Sequence, residues 1–201
     1  YDVSVCAGHA AGGEYHHHSA APCLGDQLDD DGSGHSPIYA WAADGVPMHG
    51  PYVAADTLAQ SCWIARDYDT DNDLGCGGTG ERSCVLVDPF DPTSGTVAAG
   101  SDGPNTSDVV TSLSGNVFTA VSGFYFEDHY YDADCTALGT EYMDEHNGHD
   151  HDGLGYHYHM TSTFPYTVGP TYYGVLEDNA MVTCQSTPYS EMGGGPPPSA
   201  D

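Results

Sequence analysis

Short alternating or β-branched runs punctuate the chain at residues 3–6, 38–42, 84–87, 117–121, 123–126, 172–176 and 181–184, each bounded by Gly, Pro, Asp or Asn. Runs of this kind read as strands and their boundaries as turns. Helical periodicity is scarce. Only residues 56–64 and 134–145 suggest short helical pieces, the second with Asp134 placed as an N-terminal cap. The pattern predicts an all-β or β-rich single domain with long irregular loops and one or two short helices. Residues 1–190 read as the folded unit. Residues 191–201 carry Gly193-Gly194-Gly195 followed by Pro196-Pro197-Pro198 and read as a flexible tail or linker. Residues 91–116, rich in Ser, Thr, Gly and Asp, read as an exposed excursion. Within it Asn105-Thr106-Ser107 matches the N-glycosylation acceptor pattern.

Charge changes that picture. Thirty Asp and Glu face two basic residues, Arg66 and Arg82, for a formal charge of −28 over 201 residues. Nothing is available to displace phosphate counterions, so nucleic-acid binding is excluded, as is attraction to anionic membrane. No apolar run approaches the roughly 18 residues of a membrane span. High charge with few aliphatic residues usually signals disorder. Here 15 Tyr, 2 Trp and 7 Cys supply aromatic area and cross-links instead. The expected solution is a domain stabilised by disulfides and bound cations, which compensate for a thin core. The sequence begins at Tyr1 without Met, as expected after removal of a signal peptide, which suits an extracellular, secreted protein.

No two of the cysteines have CxxC spacing, so disulfides are favoured over metal thiolates. Cys76 and Cys84 bracket a Gly-rich loop and are expected to close it. Cys6 with Cys23 and Cys135 with Cys184 are the other expected pairs, leaving Cys62 unpaired.

The histidines cluster in two similar segments. Gly8-His9 precedes Tyr15-His16-His17-His18, and Gly148-His149 precedes Tyr156-His157-Tyr158-His159. On a strand, residues i and i+2 share a face, so His16 with His18 and His157 with His159 each form a pincer. Pairing of the two strands would gather four imidazoles, with His9 and His149 close by, into a copper or zinc site. The same residues can also pack among Tyr rings without a metal, and both readings stand. His146, His149 and His151 lie in a further acidic stretch over residues 144–152 that reads as either a metal loop or a solvated one.

Asp67, Asp69, Asp71 and Asp73 alternate before Gly75 and form a calcium candidate, since closely spaced carboxylates can wrap a hard cation. The spacing of Gly and Glu is not that of an EF-hand. Asp29-Asp30-Asp31-Gly32 is a weaker second candidate.

The order of several motifs resembles the YHYH-domain family. It runs Cys6-Ala7-Gly8-His9, Tyr15-His16-His17-His18, Pro22-Cys23-Leu24, His35-Ser36-Pro37-Ile38, then Asp44-Gly45-Val46-Pro47-Met48-His49-Gly50-Pro51-Tyr52. The second half holds Met143-Asp144-Glu145-His146-Asn147-Gly148-His149, Tyr156-His157-Tyr158-His159-Met160-Thr161 and Phe164-Pro165-Tyr166-Thr167-Val168-Gly169. His17 and His49 stand where that family usually has Tyr, and His146 stands where Cys is common, which removes one half of a family disulfide. The resemblance implies a secreted protein and lends no established reaction.

Three functions are weighed. The first is a secreted, non-catalytic, calcium-binding structural protein that self-associates as a matrix or filament subunit or attaches to extracellular matrix. The second is a copper or zinc metalloenzyme built on the histidine pincers, with Glu14, Asp44 or Glu145 as acid or base. The third is a glycan-binding module using Trp41, Trp63 and the tyrosines.

Overall fold

The computed structural model describes residues 4–11, 14–68, 80–82, 84–98, 103–111 and 115–176. Strand β1 (Gly8–Ala11) pairs antiparallel with β2 (Glu14–His17), and helix α1 (Pro22–Gln27) follows with Pro22 in its first turn. Next come β3 (Ile38–Trp41), β4 (Pro47–His49), β5 (Tyr52–Ala54), β6 (Thr57–Leu58) and β7 (Trp63–Ala65). Strands β8 (Cys84–Leu86) with β9 (Thr96–Ala98), and β10 (Val109–Thr111) with β11 (Val117–Thr119), form two further hairpins. β12 (His129–Tyr131) returns to pair with β7. β13 (Gly148–Asp150) and β14 (Tyr156–His159) complete a four-stranded mixed sheet in the order β13-β14-β4-β3, with β14 parallel to β4. Among the described residues the fold is β-rich, with many short strands and one short α-helix, as the sequence pattern predicts.

Individual elements differ from expectation where long-range contacts override local propensity. Residues 56–64 are not helical. Gln60 N donates to Glu141 O and its carbonyl accepts from Met143 N, so this segment forms a parallel bridge with distant chain around Tyr142. Residues 134–145 contain only a 3-10 turn, Cys135–Leu138. The expected strands at 123–126 and 172–176 are turns and irregular chain, and the first hairpin starts at Gly8 rather than within 3–6. Residues 181–184 and 191–201 lie outside the described residues.

Disulfides join Cys6 to Cys23 and Cys62 to Cys135. The expected Cys135–Cys184 pair is therefore corrected, and Cys62 is not the odd thiol. Antiparallel pairing of β7 with β12 brings the two ends of a 73-residue separation together, which local spacing does not show. Cys84 is also disulfide-bonded, and Cys76, its expected partner, lies outside the described residues, as does Cys184.

Among the described residues the apolar core falls into three small clusters: Cys62, Trp63, Tyr131 and Cys135; Met48, Tyr158 and Met160; Val53, Ala59 and Met143. Buried polar groups lie between and around them. Both basic side chains are internal: Arg82 forms a salt bridge to fully buried Asp128 at 2.7 Å and donates to the carbonyls of Ala120 and Val121. Arg66 donates to Tyr68 and to the Cys84 carbonyl. The two cations of the chain hold its interior together and leave the surface acidic.

Candidate metal centre

Strand alternation divides the Tyr156-His157-Tyr158-His159 segment into two faces. On one, the tyrosine hydroxyls donate to carboxylates: Tyr158 to Asp44 at 2.6 Å, and Tyr156 to both oxygens of Asp144 at 2.8 and 2.9 Å. Asp44 is held below the usual carboxylate range. Burial works against that shift, and hydrogen bonds from Tyr158 and the Gly174 amide outweigh it. Asp144 is pushed up by burial while it also caps the turn into β13, accepting from the His146 and Gly148 amides. On the other face, His157 and His159 point together, with ring centroids 5.1 Å apart.

Neighbouring elements add imidazoles to this pair. His149 sits directly across from His157 in the β13–β14 register. His49, at the end of β4, lies beside His159 in the parallel register. His35, just before β3, approaches from the far side of the chain, 122 residues away from His157 in sequence.

The hydrogen bonds of these rings decide their chemistry. Five Nδ1 atoms each lie 2.7–2.9 Å from a backbone carbonyl: His35 and His49 on Ser36, His149 on Thr140, His157 on Gly155, His159 on Gly50. A carbonyl only accepts, so each Nδ1 carries the hydrogen and each Nε2 presents a lone pair. Those lone pairs converge. Nε2 of His157 lies 3.2 Å from Nε2 of His35 and 3.1 Å from Nε2 of His149, and the fully buried Nε2 of His159 has no hydrogen-bond partner. The ligand atoms of His35, His149, His157 and His159 all fall within 4.8 Å of one another.

Acceptors facing acceptors repel unless a cation sits between them. A proton is a poor candidate, because burial pushes His149 down to about 4 and His159 down to about 2, and also lowers His157 and His49. A metal ion fits. Zinc–nitrogen bonds of about 2.0–2.1 Å in a tetrahedron separate the nitrogens by about 3.3 Å, close to the two contacts observed. The carbonyls that hold the Nδ1 hydrogens also fix ring orientation, as metal-bound histidines require. A cleft of about 580 Å³ reaches the edge of the cluster, lined by His149, His151, Asp144, Tyr156 and Tyr173 among others.

Other expected ligands lie elsewhere. His9, His16 and His18 form a separate group on the β1–β2 hairpin, so the expected pairing of the two Tyr-His strands does not occur: β2 pairs with β1, and β14 with β13 and β4. His146 contacts the Thr171 carbonyl and His151 faces Asp152, so residues 144–152 do not gather a site of their own. Of the aspartate ladder only Asp67 is described, and Asp69, Asp71 and Asp73 lie outside the described residues. Asp30 accepts from the Ser36 and Tyr39 hydroxyls. Asn105 is exposed. Trp63 is buried and donates to the Glu145 carbonyl, which removes it as a glycan platform, whereas Trp41 is exposed.

His35 and His49 were not among the sequence-derived ligands. Each stands alone in its segment, in His35-Ser36-Pro37-Ile38 and at the end of Val46-Pro47-Met48-His49, with no spacing signal to mark it. Residues 2–174 match the family described as YHYH protein. No curated protein and no solved structure gives a match.

Proposed function

The chain belongs to the YHYH family, and on that premise we propose a secreted, non-catalytic metal-binding protein in which His35, His149, His157 and His159 hold one copper or zinc ion as a structural cross-link. The observation that carries this reading is the convergence of Nε2 lone pairs whose Nδ1 hydrogens are all committed to carbonyls. Imidazole donors suit these metals, and four protein ligands fill a tetrahedral shell, the condition of structural zinc sites. The ion would tie β13 and β14 to the segment before β3, adding a cross-link to a core that is thin in aliphatic residues. Calcium belongs on oxygen donors, so its place in this reading is the ladder Asp67, Asp69, Asp71 and Asp73, supported by the alternation of carboxylates. Disulfides suit an oxidising extracellular setting. Self-association or matrix attachment is consistent with a chain whose −28 charge needs cations before copies approach.

Metal analysis of the natively isolated protein tests the centre. The expected result is one equivalent of zinc or copper, lost in His157→Gln. A protein free of transition metal that takes up none on titration overturns it. Light scattering across millimolar calcium tests assembly, with a rise in mass expected and a constant monomer contradicting it.

One observation favours a metalloenzyme as the second reading: the cleft at His149 offers a route by which a substrate reaches the ion. Cobalt substitution separates the two. A closed four-imidazole shell leaves the visible spectrum unchanged on adding azide, and an open position shifts it.

A further inference from the structure

We infer that the β1–β2 hairpin is a second metal site, in which His9, His16 and His18 take a divalent copper or zinc ion from solution and leave one coordination position to solvent. The hairpin repeats the construction of β13–β14. A histidine that follows glycine faces a histidine that follows tyrosine in both, His9 across from His16 and His149 across from His157. A Cβ on Gly8 would lie 2.6 Å from the Tyr15 hydroxyl and 2.8 Å from the His16 carbonyl. A Cβ on Gly148 would lie 2.6 Å from both the Tyr156 hydroxyl and the His157 carbonyl. Each glycine therefore admits the same tyrosine over the same strand pair, and the third histidine follows two residues after the second.

The rings of His9, His16 and His18 lie 4.7–4.8 Å apart, and their ligand atoms fall within 4.8 Å of one another. Nε2 of His9 is 2.7 Å from Nε2 of His18. The base of the hairpin is fastened twice, by the Cys6–Cys23 disulfide and by a 2.9 Å contact from His17 Nδ1 to the Cys6 carbonyl. The difference from the buried centre is the fourth imidazole: among the described residues no other histidine joins this group, and His9 is half-buried and His18 exposed. Three histidines with an open position bind an exchangeable ion, and copper(II) binds more tightly than zinc at the same donors.

This inference does not depend on the buried centre. Its test is titration of the metal-stripped full chain with zinc, read by native mass spectrometry, beside H9Q/H18Q and H157Q. H9Q/H18Q should bind one ion fewer than the parent, and the ion lost should be the weaker one. Copper should displace zinc from the hairpin. Equal stoichiometry in H9Q/H18Q and the parent overturns the inference. A parent that takes one ion, abolished in H9Q/H18Q and kept in H157Q, upholds the hairpin while refuting the buried centre.

Discussion

The two histidine hairpins are made of the same parts and differ in what surrounds them. β13–β14 is packed against β4, so its imidazoles lose water and gain His35 and His49 as neighbours. Among the described residues β1 and β2 form a two-stranded sheet of their own, so its three imidazoles stay nearer solvent. The motif thus sets the pincer, and the neighbouring strand decides whether the proposed site is buried and closed or exposed and open. The tyrosines follow the same division. Tyr156 is fixed on Asp144 and stacked on Tyr173 at 3.5 Å, whereas Tyr15 is 57% exposed and contacts Ser4.

The sharpest way to break the comparison is to remove equivalent third histidines. His159→Ala deletes a fully buried ring and should cost about 3 kcal/mol in the metal-free chain. It should cost about 4 kcal/mol more where free metal stands at about 1,000 times its Kd, since bound-ion stabilisation is forfeited. In the metal-free chain His18→Ala should cost less than about 0.5 kcal/mol, as an exposed substitution. Urea denaturation with and without chelator measures both, and equal losses would refute the contrast.

Matched glycine substitutions test how firmly each hairpin is held. Gly148→Ala pushes against a backbone carbonyl and a tyrosine locked on a carboxylate, an overpacking cost of about 1–3 kcal/mol. Gly8→Ala also presses on a backbone carbonyl, that of His16, but its tyrosine has room to swing outward, so its cost should lie at the low end, about 1 kcal/mol. Thermal melts of the two variants rank them, and the reverse order contradicts the assignment of packing.

Acid gives a graded effect. His149 and His159 have folded values below the roughly 6.5 of an unfolded histidine. Below that pH the unfolded chain binds more protons than the folded one. The stability contributed by these groups is therefore complete above about pH 6.5 and declines as pH falls toward about 4, by which point His149 is half charged in the folded chain. Melts of the metal-free protein between pH 7.5 and 4 should show that decline, clearly shallower in His159→Gln and less altered in H9Q/H18Q, whose hairpin is more exposed. A flat profile contradicts neutral, buried imidazoles.

The β-rich class and the pincers at 157 and 159 were legible because strand alternation is a local property. The Cys6–Cys23 pair was legible too, being close in sequence. What escaped was distant. The Cys62–Cys135 bridge, the contact of His35 with His157 and the parallel seating of β14 on β4 are made by chain pairing across the fold. The helix expected at 56–64 failed for the same reason: Gln60 finds its backbone partners at Glu141 and Met143. The irregular segment at 172–176 is used as a lid on the tyrosine face, with Tyr173 stacked on Tyr156 and its amide donating to the Tyr158 hydroxyl.

The central claim is that imidazole lone pairs converge on one cation, and ring-nitrogen NMR reads that claim atom by atom. In the protein loaded with zinc, His35, His149, His157 and His159 should each show a protonated Nδ1 and an Nε2 shifted by metal binding, and chelation should abolish the Nε2 shift without moving the Nδ1 hydrogens. Protonated Nε2 atoms in these rings at neutral pH would contradict it.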